Sequence, residues 1–394
     1  MTTTETTTET TSRPTARPVT LAITGWGVAS PIGVGADGFA AGLAGGESGC
    51  TDVSEMFDEP LPRPEAFAMP DFRAKDHLGR KGTTFLDRST ALAMVACGQA
   101  MTDAGLEIGE HNTERVGLAL GTTAGSVRST SDYSKATFVE DKPYMVNPLL
   151  FPNAVMNGAA GQSAIRYHLK GVNATLAGGP VAVLSALRYA RSLISMDRVD
   201  TLVVGATEEF GPQVAWANDF AMRKHGGDLP AGEGAAMFVV EDAARARAAG
   251  RTPDAEVLAV EVATHVPEDE QAPDLDFSPT LARCLRRALE RAGCRADEVH
   301  AVASAENGMP AKDAQEDRAI TDVLGTAPRR IRVKQQTGEA LSASNALQLA
   351  ALLSLHRGSP ELDGRVCVLT SHTPDGVVGA AVLRGWSGRD RTSA

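Results

Sequence analysis

Few side chains in this sequence combine type and spacing suited to chemistry, and the position best built to offer one carries proline. Gly171–Glu208 reads as a strand (Val172–Leu176), a sharp Ala177-Gly178-Gly179 turn, a helix beginning at Pro180, and an apolar strand over Thr201–Ala206. A strand–elbow–helix of this kind can set one side chain at the positive end of a helix, where a thiolate would be stabilised. Proline suits a first helical position and brings no nucleophile. The remaining titratable candidates are sparse. Lys334 and Glu339 are spaced to form a buried ion pair, and Asp313 and Glu316 open a helix whose dipole carboxylates complement. His77, His111 and His225 fall in polar loops, His168 and His356 at helix ends, and His265 and His300 at strand edges. Only His372 lies near a loop that could border the elbow, and no Ser or Cys partner stands at a suggestive spacing from any histidine. There is no GxSxG elbow, Walker loop or HExxH motif, and Gly121–Gly125 lacks the GK[ST] ending of a phosphate loop.

The elements that must position these residues follow a regular rhythm. Val19–Val28 is a strand entering a Pro31-Ile32-Gly33 turn, Phe85–Leu106 an Ala-rich helix, and Val116–Leu120 a buried strand. Gly121–Gly125 opens the helix Ser126–Phe138, and Pro148–Leu169 contains another. Gly232-Glu233-Gly234 leads the strand Ala235–Val240, and the charged stretch Glu241–Asp254 marks a boundary. Beyond it come strands at Glu256–His265, His300–Ser304 and Arg330–Val333, helices at Ser278–Ala292, Asp313–Leu324 and Ser342–Leu355, and a closing pair, Arg365–Thr370 with Val377–Leu383. Alternating strands and helices predict an α/β fold with covered, mixed sheets. The expected organisation is a disordered Thr-rich tail (1–17), an N-terminal half (18–254) and a C-terminal half (255–394) of similar rhythm.

Composition narrows the class. With 394 residues and 43% apolar content the chain can bury one large core or two similar ones. A net charge of −11 without a basic run argues against nucleic-acid or anionic-membrane partners. Cys50, Cys97, Cys284, Cys294 and Cys367 are scattered with no CxxC pair, so neither a disulfide framework nor a metal site is expected, and no cofactor is implied. No apolar run reaches the ~18 residues of a membrane span, and the tail has no apolar signal region. A soluble cytoplasmic protein is expected.

Taken in order, four stretches resemble the β-ketoacyl synthases of the thiolase superfamily: Ile23–Val28 with Pro31-Ile32-Gly33; Gly232–Ala235; Pro310 to Asp313 with Glu316; and Lys334–Gly338. The resemblance spans Val19–Trp386 and implies a duplicated thiolase-like fold, layered α-β-α-β-α. An active synthase uses an elbow Cys and two His that polarise the malonyl thioester carbonyl. Such chemistry needs a thiolate to attack the acyl thioester and N–H donors for the developing enolate oxygen. All three positions are degenerate here. An ungapped frame puts the Cys position at Pro180; a shifted frame puts it at Leu176, at the cost of a strand that looks too short. The first His position, eight residues before Asp313, is Ala305, and the second, directly after Gly338, is Glu339. The glycine-rich gating loop has become Pro374–Gly379, and Asn218–Ala231 is brief beside the family's loop.

Loss of all three on a retained scaffold is similar to the chain length factors, the ketosynthase β subunits of type II polyketide synthases. The resemblance implies a non-catalytic subunit that pairs with an active ketosynthase α subunit and receives a chain carried by an acyl carrier protein. Many such subunits carry Gln at the Cys position, once read as a sign of decarboxylase activity; Pro180 removes that reading. The elbow strand Val172-Asn173-Ala174-Thr175-Leu176 would pair across the dimer axis. The tunnel helix corresponds to Ser126–Phe138, with Val127, Thr130 and Ser134 on its inward face and Val214 as a neighbour; a slip of one would bring Ser126 or Tyr133 inward. Relatives making compact aromatic products place phenylalanines on this face and often Trp at the neighbouring position. Four small side chains therefore predict a roomy tunnel for an extended or highly reduced polyene chain. The alternatives are a divergent acyltransferase or hydrolase with Glu339 or His372 as base, and a homodimeric scaffold for the carrier protein.

Overall fold

The computed structural model describes residues 19–266 and 276–387, and the Thr-rich tail expected at 1–17 lies outside the described residues. Ten strands build the main sheet: β1 (Leu21–Ser30), β2 (Val116–Thr122), β3 (Asn173–Ala177), β4 (Thr201–Glu208), β5 (Gly234–Asp242), β6 (Ala255–Thr264), β7 (Val299–Ala303), β8 (Arg329–Ile331), β9 (Val366–His372) and β10 (Val377–Gly385). Their order is β8-β7-β9-β10-β6-β1-β5-β4-β2-β3, with the short strand Gly33–Val34 folded back on β1. Read outward from the β1–β6 junction, each half runs first, fifth, fourth, second, third strand. The junction is narrow, three antiparallel pairs from Leu21↔Val257 to Ile23↔Ala255. Within each half the inner strands are antiparallel and the outer ones parallel, so the sheet is mixed.

Among the described residues the helices that matter for the site are α1 (Arg88–Ala104), α2 (Val127–Val139), α3 (Gly158–Tyr167), α4 (Ala182–Ser195), α5 (Pro212–Lys224), α6 (Ser278–Ala292), α7 (Pro310–Leu324) and α8 (Leu341–His356), with the helix Ala36–Gly45 packed beside β1 and α8. Burial sorts them into layers. The α8 sequence LSASNALQLAALLSLH has no polar face, and 13 of its 16 residues are buried, as a helix enclosed on all sides requires. With α4 it fills a core shared by strands of both halves, from Leu21 and Val204 to Val257, Ala301 and Leu369. Helix α1 closes the other face of the first half together with α3. Helices α6 and α7 close that of the second. Helix–sheet–helix–sheet–helix is the result, a duplicated α/β architecture of the thiolase-like kind. Local chemistry sets the boundaries. Asp87 caps α1 by accepting from the Thr90 N–H at 2.9 Å, and left-handed Gly105 ends it.

The charged stretch Glu241–Asp254 begins with the last two residues of β5, and Asp242 caps the helix Ala243–Ala248 that leads to β6. Two local expectations change. Asn218–Lys224 continues α5 rather than forming a loop. Helix α4 starts at Ala182, two residues after Pro180, because Gly179–Val181 first makes a tight 3-10 turn.

Candidate functional site

Strand β3 runs to Ala177, one residue beyond the expected Leu176, and starts at Asn173 rather than Val172. Gly179 then takes a left-handed conformation (φ 53°), and Pro180 occupies the turn that feeds α4. The Ser371 hydroxyl donates to the Pro180 carbonyl at 2.8 Å, tying the elbow to the end of β9. Leu176 lies inside β3, paired with Gly121, so the shifted frame would put the reactive position within the strand, and Pro180 is the residue that stands at the elbow. In both frames the elbow offers only hydrocarbon. Burial pushes the Cys97 and Cys367 thiols to about 12, so neither supplies a thiolate from the core.

Around the elbow, the residues singled out from the sequence form one buried polar cluster. Lys334 Nζ and Glu339 Oε2 pair at 2.7 Å with both side chains buried. The other Glu339 oxygen accepts from the Leu341 N–H at 2.9 Å and the Ser344 hydroxyl at 3.1 Å. Leu341 sits at φ 46°, a left-handed position sparsely used by non-glycine residues, held by that hydrogen bond. Gly338 precedes the pair at φ 70°, where a Cβ would overlap the Phe67 ring. Ala305 is fully buried, and its N–H donates to Glu316 Oε1 at 2.8 Å. Thr370 donates to the same oxygen at 2.6 Å.

Asp313 and Glu316 were expected to cap their own helix, and they do something else. Asp313 accepts from the N–H groups of Asn307 and Gly308 at 2.9 and 3.0 Å, and Glu316 accepts from Ala305. Both carboxylates hold the loop before α7 rather than the first-turn amides. His372 stacks on Phe277 with ring centroids 4.6 Å apart, and its Nε2 lies 3.8 Å from Glu316 Oε2, too far for a hydrogen bond. Burial raises Glu316 to about 7. Burial, with Lys334 and Lys312 nearby, lowers His372 to about 3. His372 is therefore neutral near pH 7, whereas Glu316 sits near the midpoint of its titration.

The candidate tunnel helix α2 begins at Val127, with Ser126 as its cap, and buries none of its residues completely. Val127 is half-buried, and Thr130 and Ser134 are exposed; the Thr130 hydroxyl donates to the Ser126 carbonyl at 2.9 Å. The alternative residues differ: Ser126 is buried against Glu209, and Tyr133 packs edge-on to Phe151 at 5.9 Å. Val214 lies on α5 and packs against the small core around Val53 and Phe210. Sequence reasoning missed what anchors α2. Glu209 accepts from the Ser126 hydroxyl at 2.9 Å and the Arg128 N–H at 3.0 Å, placing a carboxylate at the helix N-terminus. Its neighbour Glu208 accepts from the Thr123 N–H at 2.6 Å and the Ser342 hydroxyl at 2.5 Å, joining that loop to the start of α8. Burial raises both to about 7. The available signal was a Glu-Glu pair directly after an apolar strand.

One face of the molecule stands out physically. Strand β3 pairs only with β2 among the described residues, leaving its other edge open at the end of the sheet. Its sequence, NATLA, has none of the charges or prolines that usually protect an edge. On α3 beside it Ile165 is 77% exposed, and the segment that follows α2 leaves Tyr144, Leu149 and Phe151 exposed. Phe138, in the last turn of α2, is 86% exposed. An unprotected edge with Ile165 on the neighbouring helix, together with the uncovered hydrocarbon around α2, has the character of an interaction surface. No group of three or more metal-ligating side chains occurs among the described residues, and no described helix is long and apolar enough to cross a membrane.

Comparison with known proteins places this geometry in context. Residues 19–226 match the family model "Beta-ketoacyl synthase, N-terminal domain", and residues 256–359 match "Beta-ketoacyl synthase, C-terminal domain". The chain is 28% identical over 351 residues to 3-oxoacyl-[acyl-carrier-protein] synthase 2 of Coxiella burnetii, covering 83% of each chain. It is 25% identical over 356 residues to the synthase of the same name from Staphylococcus aureus (strain MRSA252), covering 84% of each. Among solved structures, a chain of the ishigamide ketosynthase/chain length factor superposes with a TM-score of 0.81 at 34% identity, covering 93% of this chain and 99% of that one. A type II polyketide ketosynthase bound to its acyl-carrier protein superposes with a TM-score of 0.77 at 20% identity, covering 94% and 100%, a likeness of fold.

Proposed function

The chain belongs to the β-ketoacyl synthase family, and we propose that within it this protein is a non-catalytic chain length factor, working beside an active ketosynthase subunit. The observation that carries the reading is the elbow. A condensing site needs a thiolate there and imidazole donors opposite, and this chain has Pro180, Ala305 and Glu339 at the corresponding positions. The scaffold around the lost site is nevertheless kept in detail. The Lys334–Glu339 pair, Asp313 on its loop and Glu316 beneath Ala305 are fully formed. A chain retained for folding and pairing keeps such a framework without its reactive groups.

The open edge of β3 and the hydrocarbon beside it support pairing with a second subunit, strand against strand. Thr130 and Ser134 are exposed in the lone chain, so α2 becomes a cavity wall only when a partner closes the other side. In that arrangement the partner's Cys holds the growing chain delivered by an acyl carrier protein, and Val127, Thr130, Ser134 and Val214 leave room along its path. Cavity depth is then set by side-chain volume, and small residues favour an extended, highly reduced polyene chain. Similarity to the ketosynthase/chain length factor structure is consistent with this role.

An enzymatic reading with Glu339 or His372 as base finds less support. Both Glu339 oxygens are committed to Lys334, Leu341 and Ser344, and His372 at about 3 is too weakly basic to draw a proton near neutrality. Incubating the isolated chain with acyl and malonyl carrier thioesters tests the choice. No turnover is expected, and turnover abolished by Glu339→Gln would overturn the proposal.

A further inference from the structure

Helix α2 is weakly held by its own side chains. None of its residues is completely buried, so core packing does not fix where it lies. Its contacts are peripheral: the Arg128 guanidinium over the Phe57 ring at 4.8 Å, Tyr133 against Phe151, and the Thr130 hydroxyl on the Ala154 carbonyl at 3.1 Å. The buried tie is at its start. Ser126 and Glu209 are both buried, and one carboxylate takes the Ser126 hydroxyl and the Arg128 N–H together. Glu209 stands on rigid support, because it directly follows β4, which is paired on both sides by β2 and β5. Thr207 ties the end of that strand to α1 through the Ser89 carbonyl at 3.0 Å, and Glu208 ties it to Thr123 and Ser342.

We propose that Glu209 is a positioning residue for product length: by holding the first turn of α2 on the end of β4, it sets the tilt of the tunnel wall. This rests on the reading of α2 as that wall. A helix anchored at one end acts as a lever. Val127–Val139 is about 20 Å long at ~1.5 Å per residue, so a tilt of about 10° at Ser126 carries the far end about 3 Å. Such a shift changes the room near Ser134 with no change in the wall residues themselves. A carboxylate suits the role, because it accepts from two donors at once and complements the helix N-terminus. Burial raises Glu209 to about 7, so its neutral form is well populated near neutrality and an amide can stand in for it.

The test reads product lengths by mass spectrometry from the chain reconstituted with an active ketosynthase subunit and an acyl carrier protein. One dominant length is expected from the wild-type pair. Glu209→Ala frees the first turn and should roughly halve the share of that product, with other lengths in its place. Glu209→Gln keeps an acceptor for Ser126 and Arg128 and should restore it. Ser126→Gly removes the hydroxyl yet remains a tolerated cap, so it cuts the same tie even if Glu209→Ala fails to fold. Glu241→Ala controls for lost stability. That carboxylate is also buried, but it pairs with Arg251 seven residues along β5 from Gly234, the partner of Glu208, about 23 Å away. Its product should keep a single length. Unchanged lengths in Glu209→Ala and Ser126→Gly, while Val127→Phe shortens the product, would overturn the positioning role and leave α2 as the wall. Unchanged lengths in Val127→Phe and Thr130→Trp as well would overturn the wall itself. An equal spread of lengths in Glu241→Ala would also overturn the proposal, since stability alone would then be acting.

Discussion

Glu316 offers the sharpest physical test of the buried polar cluster. It is fully buried, Oε1 accepts from the Ala305 N–H and the Thr370 hydroxyl, and Oε2 has no partner within hydrogen-bond distance. Burial raises its pKa from 4.5 to about 7. The folded protein therefore holds this proton more tightly than the unfolded chain, and ionisation destabilises the fold. The cost is absent below about pH 4.5, grows as pH rises through the interval to 7, and is complete above it. At 1.36 kcal/mol per pKa unit, a shift of this size corresponds to about 3 kcal/mol at pH 8. Glu316→Gln keeps an acceptor for Ala305 and Thr370 and turns its amide toward the neutral His372 ring. Urea and thermal unfolding at pH 5 and pH 8 should show near-equal stability at pH 5 and a variant more stable by up to about 3 kcal/mol at pH 8. A Gln variant destabilised equally at both pH values would refute the reasoning, because its effect would then be packing and not charge burial.

Breaking the Lys334–Glu339 pair from either side should be severe. Lys334→Ala or Glu339→Ala leaves one buried charge alone and should cost about 3–5 kcal/mol in unfolding experiments, whereas Lys334→Met with Glu339→Leu should cost much less. Ala177→Lys places a charge on the exposed end of β3; sedimentation should show lost pairing with a ketosynthase subunit while circular dichroism stays unchanged. Val127→Phe or Thr130→Trp should shorten the product of the reconstituted pair by mass spectrometry. An unchanged product from both would reject that face of α2 as the tunnel wall.

Much of this was legible because the elements carry strong local signals. The alternation of apolar strands with helices, the Ala-rich α1 and the featureless apolar α8 each follow from burial on known faces. The Lys334–Glu339 pair follows from spacing. What failed were matters decided by distant contacts. Asp313 and Glu316 look like helix-capping carboxylates, yet the loop carrying Ala305, Asn307 and Gly308 folds back onto them and claims their oxygens. The Glu208–Glu209 pair looks like the polar end of a strand, but Thr123, Ser126 and Ser342 converge on it from three separate segments. The elbow shifted by one residue because β3 is held by the register of β2, with Thr122 opposite Ala177, which local propensity cannot see.

Intact-protein mass spectrometry of the reconstituted pair, after incubation with acyl and malonyl carrier thioesters, puts the division of labour to trial most directly. Acyl mass should accumulate on the ketosynthase subunit alone, with this chain unmodified at every time point. A covalent acyl adduct on this chain would contradict a purely shape-giving role.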